Sequence, residues 1–239
     1  GIDLTGRSNV TIKNINITNF HYGIYLYESS NNIVSGSSIV GNNRGINIYS
    51  SFDASISGNN ITNSQYGIYL TNSSHNSIIE NGIADNDEGI VLNRGSLNNL
   101  LSSNNIRANY MYGGGILLVD SLNNSVVGNN ITNGWYGIWL VTSSRNTISG
   151  NLMNCNEYGF DVQGYILSHF MQFIDVSNLI DGKPVYYLVN QKDLTVNPTT
   201  HSNVGYLALV NCTRITIQNL NLTNKQKGLL FVSTTNYGF

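Results

Sequence analysis

The feature that most constrains this chain is an interval. Gly1, Gly23, Gly45, Gly67 and Gly89 stand 22 residues apart, and the same step runs from Gly115 to Gly137 to Gly159 after a single step of 26. At these glycines one short phrase recurs: "GIYL" at Gly23 and Gly67, "GINI" at Gly45, "GIVL" at Gly89, "GILL" at Gly115 and "GIWL" at Gly137. A fixed period in this range marks a solenoid, in which each repeat buries its apolar face only by stacking on its neighbours.

Within one period the apolar residues come in short alternating runs. In the Gly67 repeat they are Ile68 and Leu70, then Ile78, then Ile83. The same slots hold Ile24, Leu26, Val34 and Ile39 in the Gly23 repeat, and Ile138, Leu140, Ile148 and Met153 in the Gly137 repeat. Alternation with period two is a strand signal, and no window keeps the spacing a helix needs. Three short strands per repeat, with Asn-, Ser- and Gly-rich turns between them, predict an all-β, right-handed parallel β-helix. Its coils rise about 4.8 Å each and its hand is that of parallel crossovers. Residues 1–239 read as one such domain, a fragment of a longer protein with open strand edges at both ends.

The period breaks widely once. Gly159 and Gly205 are 46 residues apart, and both prolines, Pro184 and Pro198, fall between them. The Asp-Gly pair in "NLIDGKPVYYLVN" is a tight-turn signal between strand-like runs, so residues 163–204 are expected to form an inserted loop or hairpin, after which the solenoid resumes.

Asn76, Asn98, Asn124 and Asn146 occupy the tenth slot of four successive repeats. Stacked identical amides bond up a column, so these four are expected to form a structural ladder. Cys155 and Cys212 fall in different slots about two rungs apart, beyond disulfide reach, and are expected to be free thiols.

Composition excludes several functions. Charged residues are 10% of the chain, Lys plus Arg number 11 and the formal net charge is −2, so there is no basic stripe for nucleic acid. No apolar run reaches spanning length, which leaves no direct membrane insertion. Eight N-x-S/T sequons, at Asn9, Asn16, Asn60, Asn72, Asn123, Asn130, Asn211 and Asn221, fit a glycosylated surface chain, though so Asn-rich a sequence generates about as many by chance.

The repeats, followed by "DGKPVYYLVNQKDLTV" and "GYLALVNCTRITIQNLNLTN", resemble the NosD-like β-helix family, and within it the versions found in surface proteins of methanogenic archaea. The resemblance implies an exported right-handed β-helix at the cell surface or outside the cell, with a periplasm-like space as the alternative. Its founding members assist copper-site maturation of a reductase, but it carries no copper-ligand motif onto positions here.

Three chemistries have candidate residues. For copper, His169 and Met171 share a strand face and His201 lies in the same excursion. A site needs more converging ligands than these, so no metal and no cofactor is expected. For polysaccharide cleavage, Asp85, Asp87 and Glu88 cluster in "ADNDEG", but the slots one coil earlier hold Asn63, Gln65 and Tyr66, so no acidic groove builds along the stack. For binding, alternation turns Tyr25, Tyr69 and Trp139 outward, with Trp135, Tyr136 and Tyr158 at the adjoining corner. Flat rings on a rigid sheet suit sugars or a protein partner. The sequence thus reads as a non-catalytic cell-surface spacer that presents a binding face to envelope glycans or other cell-surface proteins. A β-helix polysaccharide lyase or hydrolase and a copper-maturation factor are the alternatives.

Overall fold

A computed structural model describes residues 1–107, 113–154, 156–222 and 228–238. From Ile2 to Ile180 the chain winds through three parallel sheets. Apart from two-residue strands at the ends of the stack, each coil gives a six-residue strand to the first sheet, such as Tyr66–Thr71, and three-residue strands to the second and third, such as Ser77–Ile79 and Gly82–Ala84. Ladder partners are the residues the period predicts. Ile68 lies between Ile46 and Ile90, Ile78 between Ile56 and Leu101, and Ile83 between Ile61 and Ile106. These side chains are fully buried and form a continuous aliphatic column.

The repeat glycine answers a packing requirement. A Cβ on Gly45 would stand 2.5 Å from Ile61 Cγ2 and 2.6 Å from the Gly67 carbonyl oxygen. A residue without a side chain is what lets the chain turn from the third sheet into the first at this distance.

At the corners, a residue with positive φ precedes a buried polar one, as in Glu28–Ser29, Asn31–Asn32, Gly36–Ser37 and Gly41–Asn42. The buried residue's N–H is accepted by the equivalent side chain of the next coil. Asn76 N–H reaches Asn99 Oδ1 at 2.9 Å, Asn99 N–H reaches Asn124 Oδ1 at 2.8 Å, and Asn124 N–H reaches Asn146 Oδ1 at 2.8 Å. The side-chain amides also bond to one another along this line. Buried polar groups are thereby satisfied where the strands bend.

The expected column needs one correction. Asn98 is not in it: its φ is 54°, it is exposed, and its amide lies 3.4 Å from His75 Nε2. Asn99 takes the place because the corner Arg94–Gly95, with φ of 47° and 76°, holds one extra residue, so the step from Asn76 is 23. A second column stood unread in the sequence. Asn59, Asn81, Asn104, Asn129, Asn151 and Asn178 repeat the same bonding one corner later.

Residues 163–204 hold the expected hairpin, but it is built into the stack rather than inserted beside it. They do not loop away from the solenoid: Phe173–Ile174 is a rung of the second sheet and Leu179–Ile180 a rung of the third. Asp181 and Gly182, both at positive φ, then make a two-residue turn, and Lys183–Val189 runs antiparallel to Leu179–Ile180. Tyr206–Val210 and Leu229–Val232 follow parallel to the reversed strand, so the third sheet continues with its chain direction inverted. A right-handed coil has its interior on one particular side of a strand of given direction, so inversion carries the interior to the opposite face. The packing has this form. Tyr206, Ala208 and Val210 join the first core, whereas Leu207 and Leu209 join a second with Val196, Val204, Cys212, Ile215 and Ile217. Cys212 is a buried free thiol in that second core, and burial raises its pKa; Cys155 lies outside the described residues.

Candidate functional site

Parallel pairing stacks the outward residues of the first sheet into rows along the axis. The residue before each repeat glycine forms one row: Tyr22, Arg44, Tyr66, Glu88, Gly114, Tyr136 and Tyr158. Beside it runs Tyr25, Asn47, Tyr69, Val91, Leu117, Trp139 and Asp161. Backbone ladders on both sides fix these positions, except Tyr22, Tyr158 and Asp161, which are paired on one side.

Gly114 opens a gap in the first row, and Tyr136 fills it. A Cβ on Gly114 would stand 1.9 Å from the Tyr136 ring. Across the gap the Tyr136 hydroxyl donates a hydrogen bond to Glu88 Oε2, two coils away. Tyr136 is 5% exposed. Burial raises the Glu88 carboxyl above the usual carboxylate range, opposed by the bonds from Tyr136 and the Gly114 N–H. Burial, then the Glu88 charge, hold the Tyr136 hydroxyl well above its ordinary value.

Next to this pair lies a groove of about 190 Å³ lined by Trp135, Tyr136, Trp139, Tyr158, Asp161 and Gln163. Tyr136 meets Trp139 edge-on at 5.3 Å, and Trp135 meets Tyr158 at 5.2 Å. Trp135 and Tyr158 are each 36% exposed, so their ring surfaces face solvent. Trp139 Nε1 is buried and has no acceptor. Asp161, the ladder neighbour of Trp139, accepts hydrogen bonds from the Val162 N–H at 3.0 Å and from Gln163 Nε2 at 2.8 Å.

Four coils toward the N-terminus the same face carries a tyrosine cluster. The Arg44 guanidinium lies 4.1 Å from the Tyr69 ring centroid, 5.4 Å from that of Tyr66 and 5.8 Å from that of Tyr22. Tyr22, Tyr25 and Tyr27 stack in succession at 4.8 and 5.8 Å. Burial raises the hydroxyl pKa of Tyr25 and Tyr66.

The predicted aromatics thus share a face but not one site. Trp139 gathers with Trp135 and Tyr136, Tyr69 with Tyr66 and Arg44, and Tyr25 with Tyr22. Arg44, Glu88 and Asp161 were missed as members of this face; the column before each repeat glycine is the signal that contains the first two. The acidic cluster disperses. Asp85 pairs with Arg107 at 3.1 Å beside the third sheet, Asp87 is exposed at the corner, and Glu88 belongs to the first row.

The copper candidates do not converge. His169 sits in the 3-10 turn Leu167–Phe170 and accepts the Tyr165 N–H at Nδ1, and Met171 follows that turn. Tyr187 reaches this turn by bonding the Phe170 carbonyl, whereas His201 packs on Tyr186, which alternation points to the other face of the strand. Among the described residues no three His, Cys, Asp or Glu side chains group as metal ligands would.

Glycoside hydrolysis by a carboxylate pair uses groups set about 5–5.5 Å or 6.5–9.5 Å apart. Glu88 and Asp161, the carboxylates flanking the groove, are three coils apart, about 14 Å along the axis. Tyr66 and Tyr136 hold their protons more firmly than a free phenol, which opposes use as bases. This face offers ring stacking and hydrogen bonds to hydroxyls.

Three parallel sheets wound around one aliphatic column define the class as parallel β-helix proteins. The chain belongs to the family described as right handed beta helix region, whose model matches residues 1–165. Among solved structures it is similar to the periplasmic alginate epimerase AlgG, with a TM-score of 0.58 and 20% identity over 95% of this chain and 50% of that one. It is similar to DFA-IIIase from Arthrobacter chlorophenolicus A6 in complex with GF2, with a TM-score of 0.57 and 13% identity over 93% of this chain and 62% of that one. A double mutant of the tailspike protein of E. coli bacteriophage HK620 matches with a TM-score of 0.58 and 12% identity, over 97% of this chain and 56% of that one. At such identities the likeness is one of fold, and the chain spans between half and two thirds of each of these proteins. No curated protein sequence matches it. No helix among the described residues is long and apolar enough to cross a membrane.

Proposed function

We propose that the outward face of the first sheet binds a polysaccharide, on an exported cell-surface β-helix that also serves as a spacer, with envelope glycans as the partner. One observation carries this reading. Both tryptophans of the chain, Trp135 and Trp139, meet Tyr136 and Tyr158 in a single groove, where Trp139 Nε1 is buried without an acceptor. Stacked rings with hydrogen-bonding groups at their edges suit the alternating apolar and hydroxyl surfaces of a sugar. The fold is one on which an alginate epimerase is built, and the resemblance to NosD-like surface proteins favours the same setting. The sequon asparagines add support. All eight are exposed and none lies in a strand of the first sheet, so glycans attached to them would leave this face open.

The hydrolase reading has less support because Glu88 and Asp161 are too far apart to act as a pair, and the lyase reading has less because burial opposes Tyr66 and Tyr136 acting as bases. The copper-maturation reading has less because His169 and His201 lie on opposite faces of a strand. Binding of the wild type, Trp139→Ala and Tyr69→Ala to an immobilised polysaccharide panel tests the proposal. Trp139→Ala should lose most of the signal and remain folded. Equal binding by all three would overturn it, and release of reducing ends would make the protein an enzyme.

A further inference from the structure

Arg44 is the one Lys or Arg among the described outward residues of the first sheet, and it has no anionic partner. The ion pairs among the described residues join Arg107 to Asp85 and Arg214 to Asp193, and neither includes it. Its Nη1 donates to Asn47 Oδ1 at 2.8 Å. Its Nε is buried with no acceptor, while Nη2 has no hydrogen-bond partner and is not shut off from solvent. The guanidinium therefore lies on the Tyr69 ring with most of its N–H groups unused. Stacking on rings offsets part of the cost of holding a cation on this face, and it holds the planar fork in one orientation. Glu88, the nearest carboxylate along its row, is bonded by the Tyr136 hydroxyl and separated from Arg44 by Tyr66.

We propose that Arg44 is an anion subsite, and that the polymer laid along this face is an acidic polysaccharide that places a carboxylate or sulfate on the guanidinium. This rests on the polysaccharide-binding reading of the same face. Arg44 and Tyr136 stand in one row four coils apart, about 19 Å, so a linear polymer running along the axis engages both. Between them lie Tyr66, Tyr69, Val91 and Leu117, which bear no charge, and Glu88, whose carboxyl is engaged by the Tyr136 hydroxyl. A compact ligand would fill only one of the two sites; an extended chain with repeating anionic groups uses both. Arg N–H groups also donate to two oxygens of a carboxylate side by side, a pair of acceptors that a hydroxyl does not offer.

The test is affinity for polygalacturonate, polymannuronate and hyaluronan, each against its methyl-esterified form, with dextran sulfate against dextran as the sulfate arm. The wild type should favour at least one acidic polymer over its uncharged counterpart by about 10- to 100-fold at low salt, the range for a hydrogen bond to a charged group. Arg44→Gln should abolish the preference for the acidic form over the uncharged form, and Arg44→Lys should fall between. The arm that responds identifies the anion. Equal binding of acidic and uncharged polymers by the wild type, or a preference that survives in Arg44→Gln, would overturn the subsite while leaving the groove intact. Absence of binding to every polymer would remove both readings together.

Discussion

The asparagine columns allow a sharp comparison, because neighbours in sequence are predicted to differ greatly. Asn99 Oδ1 accepts the Asn76 N–H at 2.9 Å and Asn76 Nδ2 at 3.0 Å. Its own Nδ2 donates to the Ser73 carbonyl at 2.9 Å and to Asn124 Oδ1 at 3.0 Å. In Asn99→Leu the side chain is close in size but offers none of these. Asn76 Nδ2 keeps its bond to the Ser51 carbonyl and Asn124 Oδ1 keeps the Asn99 N–H, so the two groups left wanting are the Asn76 N–H and the Ser73 carbonyl. Each buried group without its partner costs about 1–3 kcal/mol, which puts the substitution at about 2–6 kcal/mol. Asn98→Leu, one residue away, removes an exposed side chain with a single long contact to His75 but places Leu at a φ of 54°, which Asn tolerates better, and should cost only about 1 kcal/mol. Urea melts of the two variants beside the wild type measure both. Similar costs, or a greater cost at Asn98, would refute the assignment of the column and the placement of the extra residue at Arg94–Gly95.

Two further substitutions probe buried groups. Tyr206 is fully buried against Phe160, and its hydroxyl has no partner, so Tyr206→Phe should raise stability by about 1 kcal/mol in urea melts; a loss would mean that the hydroxyl is satisfied. Glu88 has a folded-state pKa raised above 4.5, chiefly by burial, so the folded protein favours its protonated form. As pH rises through the ordinary carboxylate value the unfolded chain ionises first, and Glu88 subtracts stability until pH passes the folded value. Glu88→Gln keeps an oxygen for the Tyr136 hydroxyl and cannot ionise. Its advantage over the wild type should therefore grow as pH rises from 4.5, and a gap that stays constant or shrinks over pH 4 to 8 in urea melts would contradict the raised value.

The sheets were legible in the sequence because their cause is local: a period of 22 with aliphatic residues at fixed slots leaves one way to bury them. The corner at Arg94–Gly95 was not, since the 26-residue step merges one added residue there with three added near Gly113, and counting from Gly89 displaces the column by one. The turn at Asp181–Gly182 could be read, but not that the chain beyond it runs backward in the same sheet. A trace of that lies in "YLALV", five apolar residues in succession, which suits a strand buried on both faces better than one with a wet side. On the face proposed for binding, Trp135, Tyr136 and Trp139 stood out as aromatic. Arg44 and Asp161 did not, and Glu88 did only as part of an acidic cluster, because a row of mixed residue types is not recognisable until the register sets its members side by side.

The direct test of the groove uses the protein's own reporters. The chain has two tryptophans, both line the groove, and Trp135 is partly exposed there. Tryptophan emission therefore reads this groove and no other part of the molecule. Titration with a polysaccharide identified on the panel should give a saturable change in intensity or wavelength, with the same midpoint as calorimetry on the same pair. Heat of binding with unchanged emission would place the polysaccharide elsewhere on the solenoid and contradict the account.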